Sequence, residues 1–168
     1  LIRSVVFSTL LLIACSFVQA AWLGSIAILG VVPDISLVVL IWIAYVNGPV
    51  AGPFAGFFSG IVQDLTSAAP LGFHAFVKTV VATLAALLHG SFFIDRFFLP
   101  IVLGALGTVV KALAAGVLSI LFGGKIHSYS FTDRMLWIEV AYNGLIAPVI
   151  FFLLGPLKRA LATERGRQ

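Results

Sequence analysis

The sequence predicts an all-α polytopic membrane protein of about six transmembrane helices in a single domain, and three observations carry that prediction. Hydrophobic residues fill 61% of the 168 positions and charged residues only 10%, where an ordinary soluble domain is about a quarter charged. Mean hydropathy is +1.18. The length, divided by about 20 residues per crossing plus short connections, accommodates six spans and leaves no room for a separate soluble domain.

The elements follow in order. A first span is expected over 4–29, with Ser16 and Gln19 inside it and Gly30 and Pro33 closing it. Leu12-Ile13-Ala14-Cys15 has the form of a lipoprotein processing box, and Val18-Gln19-Ala20 that of a signal-peptidase site. The apolar run continues past both to Leu29, longer than a cleavable segment, which favours a retained helix. Cys15 is the only cysteine and forms no internal disulfide. The second span, 31–46, reads from Val31 if Pro33 sits in its first turn; counted from Ile35 it is only about 18 Å long, short for a full crossing. The remaining spans are expected over 49–65, 71–88, 97–122 and 134–157. Short connections make consecutive helices antiparallel neighbours, and no internal repeat or low-complexity segment divides the chain.

With six spans both ends lie on one side. That side holds Arg3, Arg96, Lys158, Arg159, Arg165 and Arg167, against Lys125 and Arg134 opposite, so the positive-inside rule places both termini in the cytoplasm. The loop 123–133 is then the longest outer connection, with Tyr129 and Phe131 suited to the interface. The net charge of +4 does not indicate nucleic-acid binding: four of the ten basic residues fall in the last eleven positions, where they suit anionic lipid headgroups.

Glycine recurs at Gly48, Gly52, Gly56 and Gly60 in the third span. Residues spaced by four form a helix ridge, and removing their side chains turns it into a groove that admits another backbone. The row drifts about 40° per step, so one crossing helix can follow it or two can share it. Packing inside the bundle, against the first, fourth or sixth span, is favoured over an interface with another protein. Gly104, Gly107, Ala112, Ala115 and Gly116 in the fifth span add to a tightly packed bundle.

The next step of four is Asp64, at a helix C-terminus where the dipole repels an anion. It needs donors, and two sets are near in sequence: the free N–H groups that open the fourth span around Leu71 to His74, and the ammonium of Lys78. Asp64 is thus expected to tie the third helix to the fourth across Pro70, Leu71 and Gly72. Lys78, Lys111 and Glu139, with Asn143 one turn further on, lie within spans, where charges are costly and face the bundle interior. Their helical depths permit an outer cluster of Asp64, His74, Lys78, Lys111, Glu139 and Asn143. Such a cluster either fixes helix register or lines a cavity open to the outside. The three histidines lie apart, and no phosphate loop, serine elbow or metal-binding spacing is present. No enzymatic function, cofactor or metal is expected.

PDISLVVLIWIAY (33–45) followed by GFFSGIVQDLTSAAPLGFHAF (56–76) resembles the MreD family of rod shape-determining membrane proteins. The shared features are an apolar helix opened by Pro-Asp, a glycine-rich helix ending in Gly-x-x-x-Asp-Leu, and Pro-Leu-Gly opening the next helix. The resemblance covers 33–156 in layout and 33–76 in motif; the loop Asn47-Gly48-Pro49 lacks the basic residues expected there. It implies a non-enzymatic protein of the bacterial inner membrane. Such a protein binds the single-span protein MreC and joins MreB, RodA and a class B penicillin-binding protein in lateral wall synthesis. It also implies a fold similar to the substrate-binding subunits of energy-coupling-factor transporters. The alternative is a subunit that captures a vitamin or small nutrient for transport. The surface that meets a partner is not marked in the sequence, since Leu, Val, Ile and Phe serve lipid and helix contacts alike.

Overall fold

The computed structural model describes residues 1–22, 27, 29–89, 97–122 and 131–158. Among these it has five α-helices and no strand: α1 (Ile2–Trp22), α2 (Ile35–Thr66), α3 (Phe73–Leu87), α4 (Phe98–Leu121) and α5 (Arg134–Leu154), the last continued by a short 3-10 turn at Gly155–Leu157. Four helices are long and apolar enough to cross a membrane, and α3 is a shorter apolar helix. Arg96, Lys125, His127, Tyr129, Arg159, Arg165 and Arg167, which entered the orientation and loop readings, lie outside the described residues.

The expected second and third spans both fall within α2, whose 32 residues do not form one rod. At Gly48 the backbone leaves the helix, with φ 75° and ψ −166°, a region open in practice only to glycine. A Cβ built on Gly52 would lie closer than 3.0 Å to the Ala44 backbone, and one on Gly56 would meet the Leu40 side chain. Residues eight apart in a straight helix are about 12 Å apart along the axis. The chain therefore folds back at Gly48, and the arms 35–47 and 49–66 lie against one another. Pro49 tolerates its place after the break because a first-turn N–H has no intrahelical partner.

The boundaries differ from expectation at two places. The first helix is described over Ile2–Trp22, and Leu29, where the span was expected to end, is already non-helical, with φ of 52° followed by 81° at Gly30. The second begins at Ile35, not Val31, because the Asp34 side chain accepts the Leu37 N–H at 3.0 Å and caps it there.

The 35–47 arm is the centre of the bundle. Residues 36 to 44 are all buried, and Leu12 of α1, Val81 and Ala85 of α3, Leu103 of α4 and Ala147 and Ile150 of α5 belong to the same core. An arm that is hydrophobic on every side belongs at the centre of a bundle. The outer helices instead turn Phe17, Phe54, Phe57, Leu106, Leu145 and Phe152 outward. So much exposed apolar surface is foreign to a soluble monomer and suits lipid.

Antiparallel neighbours fix which ends coincide. Ser4 donates to Asn47 and Ser16 meets Ser36, so α1 runs opposite the 35–47 arm. One end of the bundle therefore gathers Gly48 with the starts of α1 and α4. The other gathers the start of α2 with the starts of α3 and α5.

Candidate functional site

The polar residues of the spans collect toward the second end, in two groups. The first is built on Asp64, 3% exposed. Its Oδ2 accepts the N–H groups of Gly72 (2.9 Å) and Ala75 (3.2 Å), and its Oδ1 that of His74 (2.8 Å). Oδ1 also lies 2.8 Å from His74 Nδ1. Gly72 holds φ 92° as the residue before α3, which turns these N–H groups toward the carboxylate. A carboxylate at the start of α3 meets the positive end of that helix dipole, and this offsets the unfavourable end of its own helix. Pro70 and Leu71 form the turn leading in, and the Pro70 carbonyl accepts the Phe73 N–H.

The second group is built on Lys111 of α4. Its ammonium donates to Asp34 Oδ2 at 2.6 Å and to Glu139 Oε1 at 2.7 Å. Asn143 joins the group from α5: its Oδ1 accepts the Asp34 N–H at 2.8 Å, and its Nδ2 donates to Thr108 Oγ1 at 2.9 Å. Three helices, α2, α4 and α5, thus meet at one layer. Glu139 Oε2, also buried, has no hydrogen-bond partner among the described residues.

Lys78 departs from expectation. It does not reach Asp64, whose lone pairs are filled by backbone donors, but extends to Ser36 Oγ (2.9 Å) and Ser16 Oγ (3.4 Å). Snorkelling outward is also not seen, since Lys78 is 5% exposed. Of the six residues expected to cluster, the structure pairs Lys111 with Glu139 and Asp64 with His74, and connects Asn143 to the first pair only through Asp34.

Asp34 is the residue that sequence reasoning missed. In the sequence it figures only in the Pro-Asp that opens an apolar helix. Asn143, which holds its N–H, lies about 13 Å along α5 from Arg134, so the cap of α2 is recessed into the bundle. The signal was present: a helix too short to cross has an end inside the bilayer, and an acid at that end requires a cation.

The recess leaves a cavity of about 470 Å³ above the layer. Lys78, Lys111, His74, Gln19 and Gln63 contribute polar wall, Leu37, Val77, Phe73 and Ala115 apolar wall, and Asp133 and Met135 line it from the start of α5. Neither Glu139 nor Asn143 belongs to its lining.

The glycine row is divided among different neighbours. Gly48 is the reversal point and lies near the His89 ring. Gly52 faces Ala44 across the hairpin, Gly56 faces Leu40 and the Lys78 carbonyl, and Gly60 abuts the backbone of His74 and Ala75. At its nearest contacts the row thus serves the other arm of α2, α3 and the His89 ring just beyond α3. In α4, Gly104 faces the Asn143 carbonyl and Gly107 faces Ile41, while Gly116 has open space around it.

A helical membrane protein with its buried charges tied across helices and no metal-binding group among its described residues is the class that fold and site define. A family model for the rod shape-determining protein MreD matches residues 1–156. The chain belongs to the MreD family. No curated protein and no solved structure matches it.

Proposed function

We propose that the protein is a non-enzymatic scaffold of the bacterial inner membrane that binds MreC and couples lateral peptidoglycan synthesis to rod shape, within an assembly that includes MreB, RodA and a class B penicillin-binding protein. The family match over 1–156 carries this reading, and it favours the scaffold over a nutrient-capturing transport subunit. The internal pairing of Lys111 with Asp34 and Glu139, and of Asp64 with the start of α3, supports it too, since polar groups satisfied within the bundle hold a surface in fixed shape for a partner. The same reading takes the two arms of α2 as separate crossings, which makes six in a layout similar to the substrate-binding subunits of energy-coupling-factor transporters. Both termini then face the cytoplasm, with Arg3 and Lys158 at the bundle end that carries Gly48.

Two measurements test the proposal. Depleting the protein in a rod-shaped host is expected to give spheres, and affinity purification in mild detergent is expected to recover MreC. Normal rods after depletion, together with no MreC in the eluate, would refute it.

A further inference from the structure

We infer that the cavity above the Asp34–Lys111 layer binds a small zwitterion of the amino-acid type, with its carboxylate on Lys78 and an apolar side group against Phe73 and Val77. This goes beyond partner docking and does not depend on it.

The inference starts from Lys78. It is 5% exposed, lines the cavity, and has no carboxylate within 4.0 Å among the described residues. Its nearest partners are two serine hydroxyls, which solvate an ammonium without neutralising it. A buried ammonium is strongly disfavoured unless a counter-charge reaches it. The acids of the region are committed elsewhere: Asp64 to the start of α3, Asp34 and Glu139 to Lys111. The wall therefore offers a cation that a ligand carboxylate can reach.

Charge counting then separates a simple anion from a zwitterion. Asp34 and Glu139 share one ammonium, so their cluster is negative by one, and Lys78 balances it from a distance. A simple anion on Lys78 would restore the excess negative charge, whereas a zwitterion brings its own ammonium to the acidic side. Asp133, lining the same cavity, adds a further carboxylate for that group. The volume lies within the roughly 300 to 1,000 Å³ of small-molecule sites, and the mixture of apolar walls with a few charged groups is the usual composition of such sites.

The test uses the full-length protein in detergent and three compounds that share one aromatic body: phenylalanine, 3-phenylpropionate (no ammonium) and phenethylamine (no carboxylate). A ligand bound only to the folded state raises the melting temperature with concentration. Phenylalanine at millimolar concentration is expected to raise it by about 3 °C or more and each single-charge analogue by less. Lys78→Met should abolish the phenylalanine shift, and Ala115→Phe, which fills the cavity from its apolar wall and leaves Lys78 unchanged in sequence, should do the same. No shift with phenylalanine in the unaltered protein, an equal or larger shift with 3-phenylpropionate, or a shift that survives in either folded variant would overturn the inference.

Discussion

Replacing Lys111 with methionine removes the one cation that touches both Asp34 and Glu139, at 2.6 and 2.7 Å, while preserving most of the side chain's volume. Deleting one member of a buried ion pair costs about 3 to 5 kcal/mol, because the partner charge remains without compensation. Glu139 is buried almost completely but Asp34 and Lys111 are part exposed, which places the expected loss near the lower limit, about 3 kcal/mol. For a chain of this size that is a fall of about 6 to 12 °C in melting temperature. The assay is thermal unfolding of the purified protein in detergent, followed by circular dichroism. A triple variant, Lys111→Met with Asp34→Asn and Glu139→Gln, removes every charge of the group and should recover most of the loss, since a neutral core is often no worse than a paired one. If K111M melts within about 2 °C of the parent, or if the triple variant melts lower than K111M, the layer is not an electrostatic tie in the sense used here.

Three further predictions concern the hairpin and its neighbour. Gly60→Val places a branched side chain against the His74 and Ala75 backbone, where a Cβ alone already comes closer than 3.0 Å; α2 and α3 must separate, with an expected loss of at least about 1 to 3 kcal/mol on the same melting assay. Gly48→Ala forces a side chain into φ 75°, ψ −166° and should cost about 1 to 3 kcal/mol on the same melting assay, although the space beside the His89 ring is adequate. Asp64→Ala strips the acceptor from three backbone N–H groups and should lose about 2 kcal/mol or more, with Asn at the same position losing less because one oxygen remains. Amide exchange at Gly72, His74 and Ala75 should rise in the alanine variant and little elsewhere.

The tie between Asp64 and the start of α3 was legible because both partners are local. An acid at a helix end, a short loop and Pro-Leu-Gly specify the contact without knowledge of the rest of the chain. The glycine spacing likewise announced close packing, but not the partners. That Gly48 is a reversal while Gly52, Gly56 and Gly60 are contact points follows from φ and ψ, and the spacing of four is the same for all. Lys78 was expected at Asp64 because it is near in sequence, with no account of the Ser16 and Ser36 hydroxyls, which arrive from helices distant in sequence. The Lys111 and Glu139 contact was permitted by their helical depths within a wider cluster, but not specified by them. Asp34 was not anticipated, because its position depends on how far the short 35–47 arm is drawn into the bundle, a property of packing against α5 that no local pattern encodes.

The pairing of Asp34 with Lys111 spans 77 residues of sequence, and this sets an order of events during synthesis. A ribosome delivers α1, both arms of α2 and all of α3 to the membrane before Lys111 has been made, and Glu139 follows later still. Asp34 caps the start of α2, and until α4 arrives it has no Lys111 ammonium from which to accept. The completed bundle is the first species in which the acid is at rest, and a chain arrested between α3 and α4 should be the form that insertion chaperones and membrane proteases recognise.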